Sequence, residues 1–349
     1  MVQFPFRATH PSPRGTVTNA RRRRLLLSYL PDWILTIVLA AIFLSLDHIE
    51  GYRRVFSVTD TSLRHPYALH ERIPSWALYI IAIIAPLVLM PIVNFLTVRS
   101  WWDLHNSQSL ILAAALTGSF TQVVKITVGR PRPDLIDRCR PPAGTANPDF
   151  GLTSWTVCTQ TDNGILRDGF RSFFSGHSSI SFAGLGFLSF YLAGKLHLFD
   201  SRGHAGKAWL ALSPFMAASL VAISRTMDYR HHWHDVLVGS LVGTVLAYFS
   251  YRMYYPSLAA PVCHRPYSPR IREEGASENG AHGSHLPMHQ TEAAEYSGVR
   301  INDNDLEAAP GTVPKPDPGK LEDVWREGNA EESGGLNHGV KPPTGKHTV

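Results

Sequence analysis

The sequence predicts an all-α integral membrane protein with six transmembrane helices and a disordered polar tail. The chain has 349 residues, of which 44% are hydrophobic and 17% are charged, and its mean hydropathy is −0.07. This average conceals two regions, because residues 25–254 contain long apolar runs and residues 255–349 contain almost none. Several runs are apolar on all faces over about 20 residues, the length that crosses a bilayer. Helices of a soluble protein would each show a polar face.

Six apolar segments are the predicted spans, in the order 30–46, 76–98, 107–128, 179–196, 209–223 and 236–254. They divide the chain into a basic N-terminal segment (1–24), a six-span domain (25–255) and a tail (256–349). Gly, Pro, Glu, Asn and His dominate the tail, and such a composition predicts disorder because it offers few apolar side chains to bury.

Basic residues in the loops predict the orientation of the spans. Four arginines at 21–24 precede the first span and place the N-terminus in the cytosol, so six spans return the C-terminus to the same side. The loops 47–75, 129–178 and 224–235 then face the lumen or the exterior. Two of these loops are rich in arginine, against the usual bias, which favours a function for those cations, such as binding an anion.

The first chemical motif ends the third span and reads Lys125-Ile-Thr-Val-Gly-Arg130-Pro-Arg132-Pro133. An ammonium group in an apolar helix is costly, so Lys125 either extends to the membrane interface or serves a function. Glycine and proline then break the helix, and Arg130 and Arg132 follow. One lysine and two guanidinium groups in proximity predict an anion clamp.

The second motif, Ser175-Gly176-His177, precedes the fourth span. In its simplest interpretation it is a loop, with Ser178 or Ser179 capping the helix that follows. The free N–H groups at a helix start also bind phosphate, and glycine lets the backbone approach a ligand closely. His177 would then be placed for proton transfer.

The third motif links the fifth and sixth spans and contains Ser224, Arg225, His231 and Asp235. His231 and Asp235 are four residues apart, so a helix would place them on one face. A carboxylate bonded to one imidazole nitrogen fixes the tautomer and frees the other nitrogen to attack. The predicted topology brings all three motifs to the same membrane face, as a cationic pocket suited to a phosphoryl group.

A metal site is the alternative explanation for the three histidines at positions 231, 232 and 234. Adjacent histidines point apart on a helix, and no cysteine or second carboxylate stands at ligand spacing. We therefore predict no metal site and no cofactor.

The three motifs together resemble the signature of the type 2 phosphatidic acid phosphatase superfamily. That signature is Lys, six residues, Arg-Pro; then Pro-Ser-Gly-His; then Ser-Arg, five residues, His, three residues, Asp. The spacings in this chain match, over a region of about residues 25–255. The flanking sequences are most similar to those of the fungal diacylglycerol pyrophosphate and phosphatidate phosphatases. One position differs, because Phe174 stands where the family has proline.

The resemblance implies a helical bundle of the acid phosphatase and vanadium haloperoxidase type and a metal-independent lipid phosphatase. His231 would be the nucleophile that forms a phosphohistidine, Asp235 would orient it, and His177 would protonate the leaving group and then activate water. The phosphoryl oxygens would be held by the Lys125, Arg132 and Arg225 side chains, the Ser175 side chain and the Gly176 amide. Expected substrates are the membrane lipids phosphatidate, diacylglycerol pyrophosphate and lysophosphatidate, and no nucleic acid is expected as a partner.

Three rival functions remain open at this stage. A phosphatase for sphingoid-base or polyprenyl phosphates would use the same motifs. A catalytically weakened lipid-phosphate-binding protein would be marked by Phe174, which lacks the fixed φ of proline. Vanadate-dependent haloperoxidases share the motifs but usually have a soluble scaffold, which the six predicted spans disfavour.

Two cysteines, Cys139 and Cys158, lie in the 129–178 loop on the predicted lumenal side. A disulfide is permitted in that compartment, so we expect these two residues to pair. Cys263 lies on the predicted cytosolic side and is expected to be a free thiol.

Overall fold

The computed structural model describes residues 19–200, 203–270 and 311–315. Within these residues the chain is helical, with short 3₁₀ turns and two isolated β-bridges. The ten α-helices in chain order are α1 (Asn19–Leu46), α2 (Ser75–Tyr79), α3 (Ala85–Leu96), α4 (Trp101–Ser107), α5 (Ser109–Val128), α6 (Leu135–Cys139), α7 (Asn163–Gly169), α8 (Gly176–Lys195), α9 (Ala205–Met227) and α10 (Trp233–Tyr254). A π-helical turn joins α2 and α3 into one continuous rod. The all-α prediction is confirmed.

Five helical stretches are long and apolar enough to cross a membrane: Arg22–Leu46, Ser75–Leu96, Trp101–Val128, Ala205–Met227 and Trp233–Tyr254. Many of their large apolar side chains are exposed on the outside of the bundle. Since such surfaces are stable only in hydrocarbon, the chain is an integral membrane protein.

Helix α8 coincides with the predicted fourth span but is not among these five stretches. It packs against α5, α9 and α10 at the centre of the bundle, and 15 of its 20 residues are buried. Protein rather than lipid therefore covers most of this helix, and it carries four buried serines: Ser178, Ser179, Ser181 and Ser189. A buried central helix needs less apolar surface than a lipid-facing one, so a sixth span remains a prediction.

Three glycines bring the neighbours of α8 into backbone contact. A Cβ atom at Gly184 would lie 1.7 Å from the Ala82 carbonyl oxygen, and one at Gly243 would lie 2.2 Å from the Ser179 carbonyl oxygen. A Cβ atom at Gly239 would lie 2.7 Å from the carbonyl oxygen of Ser175. Glycine allows this approach, which is a common device where helices pack in membranes.

The loops that follow α1 and α5 form a cap over one end of the bundle. Phe56 and Thr153 exchange two backbone hydrogen bonds of 2.9 and 2.8 Å. Apolar side chains from both loops bury one another in a small core: Phe56, Val58, Leu63, Leu135, Leu166 and Phe170. Cys139 and Cys158 are joined by a disulfide in this cap, as expected from the sequence. We call residues 47–74 and 130–174 the cap.

Residues 256–270 lie against the other end of the bundle. The Lys195 ammonium donates to the His264 carbonyl at 2.6 Å, and the Asn106 amide donates to the Tyr267 carbonyl at 3.1 Å. Arg270 forms an ion pair with Asp32 in α1. The prediction of disorder from residue 256 onward therefore does not hold for this segment. Most of the remaining tail, and residues 1–18, lie outside the described residues.

Candidate active site

Backbone hydrogen bonds join the three sequence motifs at the capped end of the bundle. The Ser172 amide, three residues before Ser175, donates to the Arg130 carbonyl at 3.1 Å, which links the segment leading into the second motif to the first motif. The Ser175 amide donates to the Asp235 carbonyl at 3.0 Å, which links the second motif to the third. The predicted convergence of the motifs is therefore present in the structure.

The N-terminus of α8 faces the side chain of Lys125. Ser175 is the N-cap, and its hydroxyl oxygen accepts from the Ser178 amide, so neither Ser178 nor Ser179 has that role. Gly176 is the first residue of α8, where an added Cβ atom would lie 3.2 Å from Lys125 Nζ. An ammonium group and the positive end of a helix repel each other, and an anion bound between them would relieve that repulsion.

His231 is buried between α9 and α10 with one ring nitrogen engaged. Its Nδ1 lies 2.7 Å from the Ser172 carbonyl oxygen. A carbonyl oxygen can only accept, so Nδ1 carries the hydrogen and the neutral ring keeps the lone pair on Nε2. Burial lowers the pKa of His231 well below its ordinary value, and the nearby cations Arg132 and Lys125 lower that pKa further. The side chain is therefore a neutral imidazole with an available nucleophilic nitrogen.

Asp235 reaches His231 indirectly, through Ser172. The Ser172 hydroxyl donates to Asp235 Oδ2 at 2.5 Å, and Arg130 donates to Oδ1 at 2.9 Å. The prediction that His231 and Asp235 share a helix face is wrong, because α10 begins at Trp233 and leaves His231 outside the helix. The Ser172 carbonyl, rather than the Asp235 carboxylate, fixes the tautomer of His231.

Carboxylates pair with two of the three predicted phosphate-binding cations. Arg132 forms an ion pair with Asp168 at 2.6 Å, and Arg225 forms ion pairs with Glu71 at 2.8 Å and Asp228 at 3.1 Å. Burial alone would raise the pKa of Asp168, but the surrounding guanidinium groups, Arg132 first, hold that pKa below its ordinary value. Lys125 has no carboxylate within 4.0 Å among the residues that the structure describes.

His177 lies in the first turn of α8, and the Nε2 side of its ring faces the cap. Its Nε2 donates to the Ile73 carbonyl oxygen at 3.0 Å, and the same nitrogen lies 3.9 Å from Glu71 Oε2. The structure thus brings both predicted catalytic histidines to one end of the bundle, with the segment before α2 against His177.

Three side chains near this site have a geometry that could hold a metal ion. Ligand atoms of His232, His234 and Asp235 lie within 4.8 Å of one another. Both carboxylate oxygens of Asp235 are already engaged, by Arg130 on one side and by Ser172 and the His232 amide on the other. A metal ion would have to displace a guanidinium cation there, which is unfavourable for this set.

The position that departs from the family signature, Phe174, is a core residue. Its side chain is buried, with ring centroids 6.0 Å from Phe120 and 5.9 Å from Phe173. Its bulk is therefore accommodated by aromatic packing.

Five residues of the site were not singled out by sequence: Glu71, Asp168, Ser172, Asp228 and Arg230. Three of them are the carboxylates that neutralise the arginines. Only electrostatics could have indicated these carboxylates in the sequence, because arginines that are buried in a loop require counter-charges from nearby segments.

Comparison with known proteins identifies one family and several relatives that are named as lipid phosphatases. Residues 108–258 match the family described as the PAP2 superfamily. Lipid phosphate phosphatase 2 of Arabidopsis thaliana is 36% identical over 270 residues, covering 76% of this chain and 91% of the plant protein. Diacylglycerol pyrophosphate phosphatase 1 of Saccharomyces cerevisiae is 37% identical over 241 residues, covering 68% and 83% of the two chains. No solved structure matches the chain significantly.

Proposed function

The chain belongs to the PAP2 superfamily, and we propose that it is a metal-independent lipid phosphate phosphatase acting through a phosphohistidine on His231. The observation that supports this most directly is the buried, neutral His231 whose Nε2 keeps its lone pair and has no hydrogen-bond partner among the described residues. Its relatives are named lipid phosphate phosphatase and diacylglycerol pyrophosphate phosphatase, so phosphatidate and diacylglycerol pyrophosphate are the proposed substrates, with lysophosphatidate as a further one.

In the first proposed step, His231 Nε2 attacks the terminal phosphorus atom. An N–P bond forms while the bond between phosphorus and the leaving oxygen breaks, and His177, in its imidazolium form, gives that oxygen a proton. Lys125, Arg132, Arg225 and the N-terminus of α8 stabilise the charge on the equatorial oxygens. These fixed cations replace the role that Mg²⁺ has in many phosphoryl transfers.

In the second proposed step, His177 takes a proton from water, and the oxygen of that water attacks phosphorus. The N–P bond breaks and inorganic phosphate leaves, which restores neutral His231. The Ser172 carbonyl holds Nδ1–H throughout, so the positive charge that develops on the ring is stabilised by a carbonyl and by Asp235 beyond it. Ser175 contributes by capping α8 and presenting the Gly176 amide.

The proposed orientation places this pocket on the lumenal or extracellular face, with both termini cytosolic. The headgroup would enter at the cap while the acyl chains remain in the bilayer. Cysteine labelling from either side of sealed vesicles, with single cysteines introduced in the loop 47–75, tests this orientation.

The test of the function is phosphate release from phosphatidate by purified full-length protein in EDTA. We expect wild type to release phosphate, His231→Ala to release none, and His105→Ala, a histidine at the opposite end, to behave as wild type. Acid quenching with labelled substrate should trap acid-labile, base-stable label on wild type. Equal release by wild type and His231→Ala would overturn the mechanism.

The same assay separates the rival functions. Faster release from sphingoid-base or polyprenyl phosphates would reassign the substrate. Release from none of the lipids, together with retained lipid-phosphate binding, would favour a binding protein, and Phe174→Pro would then show whether the departure from the signature is responsible.

A further inference from the structure

Glu71, in the cap segment just before α2, bridges two arginines of the site. Its Oε2 lies 2.8 Å from Arg225 Nη1, and its Oε1 lies 3.0 Å from Arg230 Nη2. Each carboxylate oxygen thus faces a different guanidinium group. Arginine binds phosphate oxygens through the same planar N–H groups.

The two arginines need a counter-charge in every state of the protein. The side chains of Arg225 and Arg230 are only 1% and 6% exposed. Buried guanidinium groups are costly unless they are paired and hydrogen-bonded. The Glu71 side chain is 25% exposed, so this carboxylate borders solvent and can leave for water without crossing the core.

The residues after Glu71 hold the same segment against the catalytic groups. The Arg72 amide donates to Asp228 Oδ2 at 2.9 Å, and the Arg72 side chain forms an ion pair with the same carboxylate. The Ile73 carbonyl accepts the hydrogen of His177 Nε2 at 3.0 Å. In this arrangement a carboxylate covers Arg225, and a backbone carbonyl holds the hydrogen of the proposed general acid.

We propose that Glu71 is a resident anion that competes with the substrate phosphate for Arg225 and Arg230. This rests on the proposed function, which assigns a phosphoryl oxygen to Arg225. A phosphate that enters displaces the Glu71 carboxylate into solvent, because both anions need the same N–H groups, those of Arg225 Nη1 and Arg230 Nη2. The departure of Glu71 withdraws the segment that carries Ile73 and frees His177 for proton transfer.

A consequence is that Arg230, which precedes His231 at a position that the third motif leaves unspecified, becomes an additional phosphate ligand. Its guanidinium is already fixed, 4.6 Å from the ring centroid of Tyr67 and 3.6 Å from Asp168 Oδ2. When Glu71 leaves, the N–H group that it occupied faces the pocket and is available to a phosphoryl oxygen.

The experiment compares Glu71→Gln with Glu50→Gln in the full-length protein carrying His231→Ala. Glu50 lies in the same loop, is itself exposed, pairs with Arg53 and undergoes the same change of charge, which makes it a matched control. The probe is inorganic phosphate, and its Kd is obtained from the rise of Tm with phosphate concentration. If Glu71 covers the arginines about 90% of the time, Glu71→Gln should lower the Kd about tenfold, because the competing state is removed. Glu50→Gln should leave the Kd unchanged.

An unchanged or increased Kd in Glu71→Gln would overturn the proposal and would show that the carboxylate serves to hold the arginines in place. If Glu71→Gln does not fold, Glu71→Asp provides the test. Its shorter side chain cannot reach both guanidinium groups, so the Kd should again fall. These measurements need no turnover, so tighter phosphate binding alongside an inactive wild type would refute the phosphatase function alone. An active wild type with unchanged phosphate binding would refute the competition alone.

Discussion

The two ends of α8 carry buried charges that are organised in opposite ways. At the C-terminal end, Lys195 pairs with Asp103 at 2.6 Å, and the hydroxyls of Tyr191 and Tyr255 donate to the same carboxylate at 2.7 and 3.1 Å. One cation meets one anion, and hydrogen bonds complete the group. At the N-terminal end, Lys125 approaches the helix with no carboxylate in ion-pairing distance among the described residues.

This difference separates charges that stabilise the fold from charges that await a ligand. The pair at the C-terminal end is complete, and every member would lose a partner if another were removed. The pocket at the N-terminal end leaves one ammonium unpaired beside a positive helix end and covers the arginines with carboxylates from the cap. Four predictions, from the largest expected effect to the smallest, test this contrast.

The largest effect is expected on the free energy of unfolding, when the ion pair between Lys195 and Asp103 is broken. Lys195→Met should lower the free energy of unfolding by about 3–5 kcal/mol, because Asp103 would remain as a buried, unpaired charge. Thermal unfolding in detergent measures the loss, and the double variant Lys195→Met/Asp103→Leu should recover most of it. The kcat/KM of the folded protein should stay at the wild-type value. A large drop would show that Lys195 contributes to activity and is not only structural.

Lys125→Met should have the opposite effect, lowering activity while leaving stability unchanged or higher. We expect kcat/KM for phosphatidate to fall about 100- to 1,000-fold, as when one preorganised transition-state contact is removed. The Tm should be equal to that of wild type or higher, because an unpaired ammonium group is removed from an apolar helix. A variant with reduced Tm and normal kcat/KM would show that Lys125 is structural.

Ser172→Ala tests the connection between Asp235 and His231. The substitution removes a hydrogen bond to a charged group, worth about 1.5–3 kcal/mol, and leaves the carbonyl that binds His231. We expect kcat to fall about tenfold with KM unchanged, and Ser172→Thr to restore part of the rate. Ser181→Ala, which removes another buried hydroxyl hydrogen-bonded within α8, serves as the control.

The smallest effect is a difference in the pH dependence of stability. The pKa of His231 is lowered in the folded protein, so the unfolded chain takes up a proton at about pH 6.5 that the folded chain does not. Stability from this source is therefore present above about pH 6.5 and is lost as the pH falls below it. The Tm of wild type should drop more steeply than that of His231→Gln between about pH 7 and about pH 5. Parallel curves would mean that the pKa of His231 is not lowered in the folded protein.

The sequence predicted those parts of the molecule that local patterns determine. Apolar runs predicted the lipid-facing helices, and the motif spacing predicted Lys125, His177 and His231 in one place. The prediction that Asp235 and His231 share a helix face was wrong because His232 is the N-cap of α10, so the helix begins after His231. Side-chain hydrogen bonds at the cap decide such a shift of two residues in the helix start, and the spacing of residues in the sequence does not reveal them.

The contribution of the cap could not be predicted in the same way. Glu71 meets Arg225 across 154 positions of sequence, and Ile73 meets His177 across 104. Neither residue belongs to a motif, and both contacts depend on how the cap folds over the bundle. Long-range contacts of this kind are determined by tertiary packing, so charge balance was the sole indication that acidic partners were needed.

The close approach at Gly239 restricts which residue can stand at this position. Its Cα faces the carbonyl of Ser175 and the side chain of Ser178, directly behind the residues that begin α8. A single methyl group at this position would push the start of α8 away from α10 and shift the pocket without altering any chemical group in it. We expect Gly239→Ala to lower the Tm and the rate of phosphate release together, although every side chain of the pocket is retained.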